Sequence, residues 1–289
     1  MSKPQAKINL GLNIVRKRPD GYHDIETVFL PVPLCDDLRI EEQTEAYPFP
    51  CRLTVTGDAI ECDEQTNLVV KAYNILAKDY HLPPVHAFLD KHIPSQAGLG
   101  GGSSDAAYML KELNTKFHLG LSDSELEAYA AQLGADCAFF IKSQPAYAEG
   151  IGERLYRIPG IRYQMRDMKL AVVRPPLAIS TREAFANTTP HSPIKNCVEV
   201  VMQPMETWNG ILTNDFEESL FPRYPELAEI KRTLYRMGAT YASMSGSGSA
   251  IYAFFRQENR ITRRQLRRVF PECFTSLVAL GAQDDGQQG

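Results

Sequence analysis

From Ala6 to Val15 apolar and polar residues alternate, so that Ile8, Leu10, Leu12 and Ile14 share one face of a strand and Lys7, Asn9, Gly11 and Asn13 the other. An amine and two amides therefore line one polar face. Pro19-Asp20-Gly21 is a turn signal, and Asp24 to Val32 reads as a second strand leaving it. The pair predicts a hairpin with Tyr22 and His23 at its tip.

Further along the period changes. Strand candidates Leu53–Thr56 and Val85–Ile93 flank a stretch from Asn67 to Lys78 in which Leu68, Ala72, Ile75 and Leu76 form a helical stripe. Ala106 to Phe117 reads as a helix, and Ser122 with Glu125 makes a capping box for another that runs to Leu133 and stops at Gly134. The second half predicts a strand over Lys169–Val173, a turn at Arg174-Pro175-Pro176, and helices over Ile194–Met202 and Glu226–Met237, the latter closed by Gly238. Strands Tyr241–Met244 and Ala250–Phe255 then flank SGSGS, followed by a helix over Asn259–Val269 and a strand over Phe274–Leu280. The polar tail AQDDGQQG is expected to fray.

Composition narrows the classes. A chain of 289 residues, 44% of them apolar, suits one large domain or two packed lobes. Its net charge of -4 gives no reason to expect nucleic acid or an anionic membrane as a partner. Arg263, Arg264, Arg267 and Arg268 read as the solvated face of one helix. The six cysteines are scattered, without a C-x-x-C pair or zinc-like spacing, which indicates neither a disulfide framework nor a structural metal site. Lys7, Asn9 and Asn13 interrupt the first apolar stretch, and no other approaches a membrane span, so a cytoplasmic location is expected.

The densest chemical signal is IPSQAGLGGGSSDAA, Ile93 to Ala107. Glycines running into a helix start expose backbone N–H groups, and together with the helix dipole these make an anion site suited to phosphates. Ser103 and Ser104 add hydroxyls at the helix entrance. A Walker A loop would need a lysine after these glycines, and a Rossmann fingerprint counted from Gly98 and Gly100 meets Ser103 where its third glycine belongs, so neither fits. A flexible Gly/Ser linker is the competing reading.

The order Pro94-x-x-x-Gly98-Leu99-Gly100-Gly101-Gly102-Ser103-Ser104-x-Ala106-Ala107 resembles the ATP-phosphate loop of the GHMP kinases, the family of galactokinase, homoserine kinase and mevalonate kinase. Three further blocks, AKINLGLNIVRKRPDGYH, LGADCAFFIKSQPAYAEGIGE and MSGSGSAIYAFF, resemble the branch of that family that phosphorylates a cytidine diphosphate-linked methylerythritol for isoprenoid precursors. The resemblance implies an α/β (α+β) two-lobed fold, with a ribosomal-protein-S5-like lobe over 1–160 and a ferredoxin-like lobe over 161–289. It also implies an ATP- and Mg2+-dependent kinase acting on the 2-hydroxyl of a small molecule, as a monomer or weak homodimer. One departure is Ser95-Gln96-Ala97, where the family commonly carries Met-Gly-Gly.

Roles follow from the same resemblance. Asp136 is implied to accept the proton of the substrate hydroxyl, with Lys7 beside it; taken alone, Asp136 reads as an N-cap and Lys7 as a surface lysine on a strand. Pro94, Gly98 to Ser104 and Lys91 are implied for ATP, and Asn9, Tyr22 and His23 for the substrate, with Tyr22 stacking on the cytosine and His23 bonding its edge. Phe185 falls where the family has a second stacking aromatic, and it also fits as a core residue. Gly246 and Gly248 resemble the family's third motif, which alone would be a hairpin turn. Another GHMP kinase of the homoserine or mevalonate type, or a non-catalytic nucleotide-binding protein, are the competing functions.

Overall fold

The computed structural model describes residues 1–58, 63–161, 165–186, 188–193 and 195–281, so the expected frayed tail, 282–289, lies outside the described residues. The alternating segment forms β1, Gln5–Lys17, and returns as β2, His23–Cys35. Between them Gly21 N–H bonds the Arg18 carbonyl at 3.1 Å, and the Asp20 carboxylate accepts the Tyr22 N–H at 3.1 Å, which is how a Pro-Asp-Gly turn satisfies its backbone. Both faces of β1 are buried from Ala6 to Ile14. Its polar face must therefore find partners inside the protein. Asn9 Nδ2 donates to Thr27 Oγ1 at 3.0 Å, Thr27 donates to the Gly11 carbonyl at 2.5 Å, and Asn13 Nδ2 donates to Glu26 Oε1 at 2.6 Å.

The chain divides into two compact units. One comprises Met1–Lys7, Leu34–Ser95 and Gly100–Gln144. Its sheet has the order β3-β5-β4, formed by Asp37–Glu42 (β3), Cys51–Gly57 (β4) and Val85–Lys91 (β5). Strands β4 and β5 are parallel, and α1, Leu68–Ala77, makes the crossover that parallel neighbours require. Asn67 caps α1 by accepting the Val69 N–H at 2.9 Å.

Helix α2 spans Gly101–Lys116 and starts earlier than its apolar pattern indicated. Glycine propensity argues against a helix there, but burial of Ala106, Ala107, Met109, Leu110 and Leu113 carries the helix back through Gly102 and Gly101. Helix α3, Asp123–Ala131, opens on the expected Ser122/Glu125 capping box, and α4 covers Cys137–Lys142.

The second unit comprises Ile8–Pro33, Gln96–Leu99 and Pro145–Gly289. Strands Ala146–Glu149 (β6) and Arg154–Arg157 (β7) extend the hairpin into the sheet β1-β2-β6-β7. A second sheet has the order β11-β8-β10-β9, from Met168–Arg174 (β8), Tyr241–Met244 (β9), Ile251–Arg256 (β10) and Phe274–Leu280 (β11), with antiparallel neighbours throughout. Counted from β8 this is the 4-1-3-2 order of a ferredoxin-like sheet. Helix Pro225–Arg236 packs on β9 and β10, and helix Arg263–Val269 on β11. The core beneath includes Leu12, Ile14, Val173, Phe216, Leu227, Ile251 and Phe255.

Two helices start well inside their expected stretches. Cys197–Val201 replaces the 194–202 stretch, of which residue 194 is outside the described residues, because Asn196 caps the helix by accepting the Glu199 N–H at 2.8 Å. Arg263–Val269 replaces the Asn259 start: the Asn259 carboxamide accepts the Ile261 N–H at 2.8 Å in a local turn, and the capping box Thr262/Gln265 opens the helix. Among the described residues no helix is long and apolar enough to cross a membrane.

Candidate active site

In the first unit the strand that begins at Gln5 carries Lys7, only 4% exposed, whose Nζ lies 3.5 Å from Asp136 Oδ2. Lys7 is therefore not the surface lysine that the strand alone allowed. Asp136 stands at the start of α4 but makes no capping hydrogen bond. Its carboxylate is part-exposed beside a buried ammonium, which leaves an acceptor that a ligand can reach.

Gly100 joins this pair to the glycine run. With φ at +71° it holds the left-handed conformation just before α2, and a Cβ there would stand 2.8 Å from Phe140 Cζ and 3.2 Å from Lys7 Cγ. The first turn of α2 is Gly101, Gly102, Ser103 and Ser104. Ser104 N–H already bonds the Gly100 carbonyl at 2.9 Å, whereas helix geometry gives Gly101, Gly102 and Ser103 N–H no intrahelical acceptor. Three donors at the positive end of a helix dipole fit an oxyanion such as a phosphate. Among the described residues Ser104 Oγ and Asp105 Oδ1 are buried without a hydrogen-bond partner.

Beneath this turn Lys91 binds two carboxylates. Its Nζ bonds Asp36 Oδ2, and bonds Asp105 Oδ2 at 2.7 Å, while Asp36 Oδ1 accepts the N–H groups of His92 at 2.5 Å and Ile93 at 2.7 Å. A Cβ on Gly101 would lie 3.3 Å from Lys91 Nζ. Burial pulls the Lys91 pKa down, and the charges of Asp105 and Asp36 outweigh it, leaving the group raised. Burial pushes Asp105 up to about 7 against the opposing charge of Lys91. Pro94 and Leu99 are buried, so what Leu99 can offer a ligand is its backbone.

The second unit gathers other expected residues. Gly98 has φ +72°, and a Cβ there would overlap the Ser245 carbonyl oxygen and stand 3.3 Å from Gly248 N. Asn9 N–H bonds Ser245 Oγ at 3.2 Å, and a Cβ on Gly246 would lie 3.2 Å from Asn9 Oδ1 and 3.4 Å from Gly98 Cα. Asn9, Gly98, Gly246 and Gly248 thus meet at one place. The SGSGS segment is also a turn, closed by Gly248 N–H on the Ser245 carbonyl at 3.0 Å. Asn214 Nδ2 fixes that turn through the carbonyls of Met244 and Gly246, at 2.8 and 2.9 Å.

At the hairpin tip Tyr22 is 61% exposed. His23 stacks on Phe185, centroids 4.6 Å apart and planes 11° from parallel, and Phe185 also meets Phe216 edge-on at 4.8 Å. Phe185 thereby packs both against His23 and against the core. Burial, then the charge of Lys17, pushes the His23 pKa down.

Asp36, Asp105 and Asn214 escaped sequence reasoning. Asp105 carried a signal, since it sits inside the glycine motif at a position read as variable. Asp36 and Asn214 carried none, because their partners are remote in the chain. Among the described residues no group of three or more His, Cys, Asp or Glu is placed to hold a metal ion.

Comparison with known proteins identifies the family. The GHMP kinases N terminal domain matches residues 67–144 and the GHMP kinases C terminal family matches residues 195–272. A 4-diphosphocytidyl-2-C-methyl-D-erythritol kinase of Bacteroides fragilis is 50% identical over 271 residues, covering 94% of this chain and 97% of that one. The enzyme of that name from Bacteroides thetaiotaomicron is 52% identical over 258 residues, covering 89% and 93%. A crystal structure of 4-(cytidine 5'-diphospho)-2C-methyl-D-erythritol kinase superposes with a TM-score of 0.79 at 29% identity, covering 96% of this chain and 98% of that one. With both family models matched and relatives of this identity along nearly its whole length, the chain belongs to the GHMP kinases, in the family of the 4-diphosphocytidyl-2-C-methyl-D-erythritol kinases.

Proposed function

We propose that this chain transfers the γ-phosphoryl group of ATP to the 2-hydroxyl of 4-diphosphocytidyl-2-C-methyl-D-erythritol, the alcohol in the names of its relatives. The observation that carries the reading is the Lys7–Asp136 pair at 3.5 Å, packed against Gly100 at the start of α2. A group that can take a proton and a helix end that can hold phosphates are then neighbours.

In this reading Asp136 accepts the hydroxyl proton as the oxygen attacks, and the Lys7 ammonium stabilises charge developing on that oxygen. Backbone N–H groups of Gly101, Gly102 and Ser103 hold phosphate oxygens, with Gly98, Leu99 and Ser104 completing the loop, while Pro94 and Lys91 support it from below. Magnesium would be brought to the site with the nucleotide's phosphates, beside the first turn of α2, Gly101 to Ser104. There it would supply positive charge to the transferring group, beside the charge that Lys7 brings to the attacking oxygen.

Asn9, Gly246 and Gly248 line the alcohol, and Tyr22, His23 and Phe185 supply aromatic surface and a polar edge for the cytosine. The family matches at 67–144 and 195–272 support 1–160 and 161–289 as the N- and C-terminal kinase lobes.

Asp136→Asn tests the mechanism: ADP affinity is retained and turnover falls at least ~100-fold, the lower range for a lost acid–base group. Unchanged turnover would remove Asp136 from the chemistry. Assays of ADP release with the cytidylyl alcohol, homoserine and mevalonate test the substrate. Turnover of either simple alcohol without the cytidylyl compound sinks that choice.

A further inference from the structure

Tyr22 stands exposed at the tip of the first hairpin, so packing does not hold it in place. The residue before it loosens the tip further, since Gly21 has φ +87° and a Cβ there would meet nothing within 4 Å. An aromatic face that has to be ordered at the moment of binding gives up affinity for that ordering. Whatever restrains Tyr22 must therefore come from the turn itself.

Arg18 supplies most of that restraint. Its N–H donates to the Tyr22 carbonyl at 2.8 Å, and its carbonyl accepts the Gly21 N–H at 3.1 Å. Its guanidinium then reaches Asp20 Oδ2 at 3.0 Å and Asp24 Oδ1 at 3.6 Å, the two carboxylates that bracket Gly21, Tyr22 and His23 in the chain. Both carboxylates are tied in turn: Asp20 Oδ1 accepts the Tyr22 N–H at 3.1 Å, and Asp24 Oδ2, on β2, accepts Arg16 Nε at 2.7 Å. A chain of charges thus runs from β2 out to Tyr22, with the Arg18 guanidinium as its middle link. All of these residues lie in the second unit. A cavity of about 440 Å³ opens beside the guanidinium, but Arg16, Arg18 and Arg154 face Asp20, Asp24 and Glu153 around it, a balance that favours an ion of neither sign.

We infer that Arg18 is a positioning residue for cytosine recognition, which presets the turn that presents Tyr22 and does not itself touch the ligand. Its two ion pairs hold the tip in the shape in which the ring is offered, so less order has to be created when the base arrives.

The inference rests on the function proposed above, and reading the binding of cytidine diphosphate, which needs no turnover, keeps the two apart. Affinity is measured by calorimetry with ADP saturating, so that the phosphate loop is already filled, for the wild-type chain, Arg18→Ala, Tyr22→Ala and the double variant. Arg18→Ala is expected to weaken cytidine diphosphate about 3-fold, within what exposed ion pairs supply, and to leave ADP affinity unchanged. The double variant should bind no more weakly than Tyr22→Ala alone, because an effect transmitted through Tyr22 disappears with it. Arg18→Lys, whose ammonium reaches one carboxylate at a time, should lose less, and it replaces Arg18→Ala in the cycle if that variant does not fold. Wild-type affinity in Arg18→Ala overturns the inference. So do losses that multiply in the double variant, which would show Arg18 meeting the ligand directly. A wild-type chain that does not bind cytidine diphosphate overturns this inference together with the cytosine reading, whereas turnover of a different alcohol by a chain that does bind it overturns the substrate choice alone.

Discussion

In the glycine loop that the proposed function assigns to phosphate, the protein itself packs closely on Gly98, Gly100 and Gly101. Gly100 is pressed against Phe140 and Lys7, Gly98 against Ser245, and Gly101 against Lys91, whose ammonium is bonded to two buried carboxylates. At the tip of the first hairpin the opposite holds: Tyr22 projects into solvent, and His23 rests on Phe185. A phosphate site works through fixed backbone donors, so its precision must come from packing that exists before the ligand arrives. A flat aromatic base can be held by a side chain that waits in water, because stacking needs a face more than a fixed dipole.

The contrast predicts that damage to the first region costs stability, and damage to the second costs affinity alone. Asp36→Ala should have the largest effect, about 3–5 kcal/mol, since breaking a buried ion pair leaves an under-compensated charge. It strips Lys91 of one carboxylate and leaves the N–H groups of His92 and Ile93 without their acceptor. Urea unfolding measures this, and a loss under about 1 kcal/mol would show that the triad is not what holds the loop.

Gly98→Ala comes next, at about 2–4 kcal/mol, combining the left-handed penalty with overpacking. Gly120 has the same φ of +72° with nothing within 4 Å of a Cβ, so Gly120→Ala carries the conformational part alone. Equal costs at the two glycines would mean that the Ser245 carbonyl yields and that Gly98 is there for its φ only.

A smaller effect concerns pH. Because burial raises Asp105 to about 7, the folded chain keeps a proton there that the unfolded chain releases near pH 4. The stability from this group is complete below the unfolded pKa and is lost as the pH climbs through 7. Asp105→Asn removes that titration. Wild-type stability relative to the variant should therefore fall between about pH 4 and pH 8, as read from urea midpoints across that range. A constant difference would place Asp105 ionised throughout.

What the sequence revealed follows the same division. The hairpin, the capping box at Ser122 and the strands of the second sheet were carried by local patterns of period two and period three to four, whereas the ferredoxin-like lobe was implied by the family resemblance and the Thr262 box lay unread inside a longer expected helix. The early start of α2 was hidden because two glycines argue against a helix when packing is unseen. Alternation along β1 identified Lys7, Asn9 and Asn13 as one face but not as a buried one, because polarity alone does not show whether partners such as Glu26 and Thr27 lie across the sheet. Asp36 and Asn214 act through neighbours 55 and 30 positions away, at Lys91 and Met244, a distance over which no local pattern speaks.

The smallest expected effect tests the comparison from its other side. Tyr22 touches solvent over most of its surface and among the described residues its ring meets no aromatic partner, so Tyr22→Ala should change stability by no more than about 0.5 kcal/mol. Loss of a stacking face worth about 1 kcal/mol should raise KM for the cytidylyl alcohol about 5-fold, with kcat and ADP affinity unchanged. Phe185→Ala should do both kinds of damage, because that ring stacks on His23 and packs on Phe216. Should Tyr22→Ala lower the unfolding midpoint as far as Phe185→Ala does, the hairpin tip is a packed structure like the loop, and the distinction between a prebuilt phosphate site and a waiting aromatic face fails.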